Sequence, residues 1–206
     1  MKYLLGLLAA FLLSISAGAA ELAPDALVRN VTSEVLEIVR KDRDIQAGNS
    51  RKTLELVETK VLPHFNFQRM TQLAMGREGR QATPEQLRIL TEEFRDLLVR
   101  TYSKALTEFR GQEIIYRPFK MAPGETDVRV RTEIRQTGSK PLAFDYYLER
   151  TAASWKVYDV EVGGVSLVTT YRSSFGQEIQ RNGIDGLIRS LQARNRSSEI
   201  AAGAPK

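Results

Sequence analysis

Few residues of this 206-residue chain have the type and spacing to do chemistry. A hydrolase needs a nucleophile with a base beside it. Ser166 follows Gly163-Gly164-Val165, but it stands in Gly-Val-Ser-Leu-Val and lacks the second glycine of a nucleophile elbow. His64, the single histidine, sits in Leu62-Pro63-His64-Phe65, a helix-ending turn where such a residue more often packs or caps. There is no cysteine, so neither thiol chemistry nor a disulfide framework is available. One histidine is too few for a typical zinc site, and no glycine-rich loop has phosphate-cradling spacing. Asp145, Asp159 and Glu161 fall in strand-like sequence. A cavity between helices and a sheet can hold a carboxylate base. Alternation with Phe144 and Tyr146 puts Asp145 in solvent, whereas a bulge would turn Asp159 inward. The expectation is a protein that binds and does not catalyse, with no catalytic residue, metal or cofactor. A cavity enzyme using Asp159 or His64 is the alternative.

The elements that would position a binding site begin after a leader. Lys2, the apolar run Leu4 to Ile15, and Ala17-Gly18-Ala19 match a secretory signal peptide over residues 1–20, cleaved after Ala19 or Ala20. The run is shorter than the roughly 20 residues of a membrane span. One soluble domain over residues 21–195 is then expected in a bacterial periplasm, with a flexible tail over 196–206. The net charge of +5 falls to +4 once Lys2 leaves with the leader. An exported protein rarely meets nucleic acid, so no nucleic-acid partner is expected. The mild positive charge suits anionic headgroups or an acidic partner.

The first half has helical periodicity. Val28, Val31, Val35, Ile38 and Val39 mark a helix from Asp25 to about Arg43. Leu54, Val57 and Val61 mark a second over Ser50 to Val61, stopped by Pro63. Phe67, Met70, Leu73 and Ala74 share one face of a short helix over Phe65 to Met75. Thr83-Pro84-Glu85-Gln86 is a capping box with proline at the first helical position. The long helix after it carries apolar residues from Leu87 to Phe109 and ends at Gly111.

The period then changes to two. Four strands are expected: Gln112 to Phe119, Asp127 to Arg135, Pro141 to Arg150 and Ser154 to Val162. Val128, Val130, Thr132 and Ile134 form the inner face of the second, and charged residues form its wet face. Leu167, Val168, Tyr171, Phe175 and Ile179 make a further helical stripe, stopped at Asn182-Gly183 and followed by a short helix over Ile184 to Leu191. The fold class is α+β, with helices packed on a twisted four-stranded antiparallel sheet. Such a sheet makes a cone, and an incompletely filled cone is a pocket.

Several stretches, in order along the chain, resemble one family. They are Val61-Leu62-Pro63-His64-Phe65-Asn66-Phe67, Met75-Gly76-Arg77, Ala82-Thr83-Pro84-Glu85-Gln86, Trp155-Lys156-Val157-Tyr158-Asp159-Val160, Gly164-Val165-Ser166-Leu167-Val168 and Gly183-Ile184-Asp185-Gly186-Leu187-Ile188. Their order resembles the MlaC (toluene-tolerance auxiliary component) family. That family usually has aspartate where Asn66 stands, and an aromatic near Glu78 or Gly79. The resemblance implies a fold similar to nuclear transport factor 2, with an internal apolar cavity. It also implies a periplasmic carrier of phospholipid between an outer-membrane lipoprotein–porin complex and an inner-membrane ABC transporter of the MCE type.

Two acyl chains hold about thirty methylenes, whose exposure to water would cost roughly 20–25 kcal/mol. The interior of such a carrier must therefore rival a bilayer in apolarity. The candidate tail-contacting residues are Met70 and Leu73 on the short helix, and Leu98, Tyr102, Leu106 and Phe109 on the long one. Val130, Phe144, Tyr146, Leu148 and Val160 join them from the sheet, and Val168, Tyr171 and Phe175 from the later helix. Arg100, Lys104 and Arg172 are placed near the rim. The rival readings are a binder of another small hydrophobic compound and a structural protein whose core is filled.

Overall fold

The computed structural model describes residues 22–203; the expected leader, residues 1–20, lies outside them. The element order is helices, sheet, helix, as the change of period requires. Helix α1 (Pro24–Lys41) starts with proline in its first turn and carries Arg40 and Lys41 in its last, where cations suit the helix dipole. A short α2 (Arg43–Gln46) is capped by Asp42, whose Oδ1 accepts from Asp44 N and Ile45 N.

The second expected helix is shorter and less regular than its periodicity suggests. Helix α3 (Ser50–Leu56) widens into a π-turn over Val57–Val61, and Leu62–His64 tightens into a 3-10 turn. Pro63 has no N–H to give to an α-helical ladder, so regular bonding ends here. Phe65 does not begin the next helix. It bridges Val157 in parallel, and Asn66 N donates to Val157 O at 2.8 Å. Helix α4 (Phe67–Met75) starts two residues later, with Asn66 Oδ1 capping Arg69 N.

Thr83 and Gln86 form the expected capping box for α5 (Pro84–Tyr102). The helix does not run unbroken to Gly111. After Ser103 it becomes α6 (Lys104–Thr107), where Glu108 N and Phe109 N bond three residues back, to Ala105 O and Leu106 O. Gly111 then turns with φ +87°.

Among the described residues the sheet is an antiparallel meander of five strands and not four: β1 (Glu113–Tyr116), β2 (Asp127–Arg135), β3 (Leu142–Arg150), β4 (Trp155–Val162) and β5 (Val165–Ser166). The extra strand follows from Gly163 and Gly164, with φ +59° and +86°. Both residues adopt positive φ, which suits a tight two-residue hairpin, so Val165 pairs back on Val162 before the last helix begins.

Helix α7 (Leu167–Gly203) is two helices joined at Gly183, whose φ of +71° and ψ of −179° break the ladder where Asn182-Gly183 suggested a stop. It continues past Arg194, where the sequence suggests fraying. Buried Asn195 donates through Nδ2 to Glu93 O (3.0 Å) and Glu93 Oε2 (2.7 Å) on α5. No helix among the described residues is long and apolar enough to cross a membrane.

The buried side chains fall into three apolar clusters. One joins α4, α5 and α7 around Phe94, which makes edge contacts with Tyr171 and Phe175, both at 5.1 Å between ring centres. A second lies between the first turns of α1 and the inner sheet face, with Val128, Val130, Leu148 and Val157. A third joins the end of α1 to α2 and α3 through Val35, Val39, Ile45 and Leu56.

Candidate functional site

The three clusters touch through Phe65 and Val31 but do not fill the space between them. Between them lies a cavity of about 490 Å³, within the roughly 300–1,000 Å³ typical of small-molecule sites. Its walls are one face of α1, the turn from Val57 to Phe67, the end of α5 with α6, and the inner sheet face. The side chains are almost all apolar. Among the described residues no lysine or arginine lines it, and the one carboxylate is Glu108. Such a lining holds hydrocarbon well and charge badly.

The inner sheet face is set by register. Thr132 pairs with Phe144, and Val130 with Tyr146. Between Tyr147 and Leu148 the pairing with β4 slips, so Tyr158 is the extra residue. The bulge re-aims the strand such that Val157 and Val160 both face inward. Thr132 Oγ1 donates to Phe144 O at 2.5 Å, which silences its hydroxyl on the cavity wall. Burial pushes Tyr146 up to about 12, despite a hydrogen bond from Thr32 that favours the phenolate. Burial likewise raises Tyr102 to about 12, helped by neighbouring Tyr171. Both phenols therefore stay neutral in the lining.

Eight of the fourteen candidate residues meet at this cavity: Met70, Leu98, Tyr102, Leu106, Phe109, Phe144, Tyr146 and Val160. The other six do not line it. Leu73, Val168, Tyr171 and Phe175 pack into the cluster around Phe94, because that side of α5 faces α4 and α7. Val130 and Leu148 share the inward parity of Phe144, but they lie under the start of α1 among Leu27, Val28 and Trp155. The candidates omitted a whole wall: Val31, Val35 and Leu36 on α1, and Val61, Leu62 and Phe65 in the irregular turn. The α1 stripe is visible in the sequence at helical spacing, and it is the signal that could have found them.

The groups with chemical potential are dispersed. Asp159 faces away from the cavity and caps α7, accepting at Oδ1 from Val168 N (3.2 Å) and at Oδ2 from the Ser166 hydroxyl. Asp145 is on the outer face as alternation requires, but it is not solvated. Arg129 covers it, with Nη2 at 2.5 Å and Nε at 3.0 Å from its Oδ2. Glu161 shares the same guanidinium and accepts from the Tyr147 hydroxyl at 2.9 Å. Only His64 reaches the lining, where burial and Lys156 lower its affinity for a proton. Of the expected rim cations, Arg172 points elsewhere, donating through Nε to Leu73 O on α4. Lys104 is exposed beside the lining residues Ser103 and Ala105. No three His, Asp or Glu among the described residues could hold a metal ion.

The family model described as MlaC protein matches residues 29–193, which span every wall of the cavity except its Leu27–Val28 corner. The chain belongs to the MlaC family. Among MlaC relatives, the toluene tolerance protein ttg2D of Pseudomonas putida is 30% identical over 186 residues, covering 88% of this chain and 83% of that one. The intermembrane phospholipid transport system binding protein MlaC of Haemophilus influenzae is 26% identical over 194 residues, covering 90% and 87%. A phospholipid-binding protein from Ralstonia solanacearum, solved in complex with a phospholipid at 1.53 Å, is 40% identical with a TM-score of 0.78. That likeness covers 85% of this chain and 98% of the other.

Proposed function

We propose that this MlaC protein is a periplasmic phospholipid carrier that catalyses no reaction. It holds acyl tails in the cavity and moves lipid between an outer-membrane lipoprotein–porin complex and an inner-membrane MCE-type ABC transporter. The observation that carries this reading is the cavity itself: a large void whose lining, among the described residues, is apolar and contains no lysine or arginine. The Ralstonia relative, with a phospholipid bound, supports it. A lining of this kind recognises hydrocarbon by burial, at about 0.8 kcal/mol per methylene, and is indifferent to much of the headgroup. Met70, Leu98, Tyr102, Leu106, Phe109, Phe144, Tyr146 and Val160 then contact the tails, together with the α1 stripe. Direction of transfer must come from the partner complexes, because the chain has no nucleotide-binding motif.

Native mass spectrometry of the gently purified mature protein tests the reading. A stoichiometric adduct of phospholipid mass, identified after organic extraction, is expected. Bare protein, or an adduct of another chemical class, overturns it.

A further inference from the structure

We infer that Arg40 and Arg110 together hold the phosphate of the bound lipid at the cavity rim. The inference rests on the carrier reading above, and it adds a polar anchor to a site otherwise built for tails. Both guanidinium groups are fixed on one lining residue, Phe109. Arg40 lies over its ring, 5.4 Å from the centre. Arg110 donates from Nη1 to the carbonyls of Thr107 (2.6 Å) and Phe109 (3.0 Å). Phe109 is half-buried between exposed Glu108 and exposed Arg110, so here the lining reaches the surface.

Several arginines among the described residues are neutralised. Arg69, Arg88, Arg117, Arg129 and Arg135 all pair with carboxylates. Arg40 and Arg110 are among the described arginines that form no ion pair, and these two rest on a cavity-lining residue. A ring contact occupies the face of a guanidinium and leaves its edge donors to another partner. Arg110 spends one nitrogen on the two carbonyls and keeps two for the same use. Glu108 brings one negative charge to this rim, and Lys104, one turn earlier, makes no ion pair with it. The rim is therefore net positive beside an interior that repels charge. A lipid whose tails enter the cavity places its phosphate where that interior ends. Two forked donors at this height suit a phosphodiester, which Arg binds bidentately. The anchor reads the phosphate common to glycerophospholipids and not the group beyond it.

The test offers delipidated mature protein an equal mixture of dioleoylphosphatidylcholine and dioleoylglycerol, which share tails and differ in the phosphate-bearing headgroup. Phosphatidylcholine carries no net charge, so a preference for it reads the phosphate contact and not bulk electrostatics. Bound lipid is counted by mass spectrometry after extraction. The wild type is expected to favour the phospholipid, and the Arg40→Gln/Arg110→Gln double variant to lose about three- to ten-fold of that preference, the size of two exposed ion pairs. Its diacylglycerol loading should be unchanged, which also shows that it folds. The Arg40→Lys/Arg110→Lys pair should restore part of the preference. A double variant with the wild-type ratio overturns the inference and leaves the carrier reading standing. A wild type that takes up neither lipid overturns both. Tight binding of inorganic phosphate to lipid-free protein through the same two arginines would make this a free-anion site and also overturn the assignment.

Discussion

Asn66 Nδ2 donates to Glu149 Oε1 at 2.6 Å, so one side chain both caps α4 and ties it to strand β3. Arg69 completes the tie, with Nη1 2.6 Å from Glu149 Oε2 and its guanidinium stacked 3.6 Å from the centre of the Tyr158 ring. The amide accepts from a helix N–H at one end and gives to a carboxylate at the other, and an aspartate could do only the first. Asn66→Asp should keep the cap and set two carboxylates against each other. Such a pair is destabilising when both are charged, and one of them then titrates above its ordinary range. The variant should melt below the wild type at neutral pH, by an amount corresponding to about 1–2 kcal/mol. The gap should close as pH falls and the raised group takes up a proton. Thermal unfolding followed by circular dichroism at neutral and mildly acidic pH checks this; a gap independent of pH refutes it.

Phe144 and Phe175 carry the same side chain in two different surroundings. Phe144 borders the void, and Phe175 is buried against Phe94. Phe175→Ala should cost about 3–5 kcal/mol in chemical denaturation while lipid is retained whenever the protein folds. Phe144→Ala should cost less, because one side of that ring has no packing partner to lose. Phe144→Asp or Leu106→Asp should abolish lipid retention with the fold intact, since each puts a charge into a lining that cannot pair it. Equal stability losses at Phe144 and Phe175 would mean that the void is filled by protein.

Asp159 separates a structural role from a catalytic one. Its carboxylate bonds the backbone of Val160 and Val168 and the Ser166 hydroxyl at the start of α7. Asp159→Ala should lower stability by about 1–2 kcal/mol, as loss of a helix cap does. Lipid content after gentle purification should stay at the wild-type level. Wild-type stability with loss of a chemical turnover would restore the cavity-enzyme reading.

His64 should make the fold sensitive to acid. Burial, and then the charge of Lys156, hold its imidazole below the ordinary value of 6.5, with Glu34 opposing weakly. A group with a depressed value binds its proton more readily in the unfolded chain. Its effect is neutral above 6.5 and destabilises the fold progressively as pH falls below it. His64→Gln should therefore flatten the decline in melting temperature between neutral and mildly acidic pH. Parallel wild-type and variant profiles would show that the imidazole does not contribute.

What the sequence discloses here depends on range. Local rules found the capping box of Thr83 and Gln86, the meander, and the break at Gly183 because each is decided within a few residues. In the sequence, Gly163-Gly164 reads as an end to the sheet. It is a reversal within it, and only the partner strand distinguishes the two. Alternation put Asp145 on the correct face but could not tell that Arg129 would cover it. The cavity was the hardest feature to place. Periodicity gives the apolar face of a helix, and Val35 beside a void has the same signature as Phe94 inside a packed cluster. Tyr171 and Phe175 therefore read like lining although they are packed around Phe94, and the α1 wall reads like ordinary core.

The separation of the buried side chains into three clusters has a mechanical consequence. Two of them share α1, and Phe65 and Val31 bridge neighbouring clusters, but an open space is left where the three meet. An apolar passenger in that space would act as a keystone, adding contacts between blocks that otherwise touch through few side chains. Loading would then change rigidity more than shape, and a docking partner could sense an occupied carrier by its stiffness.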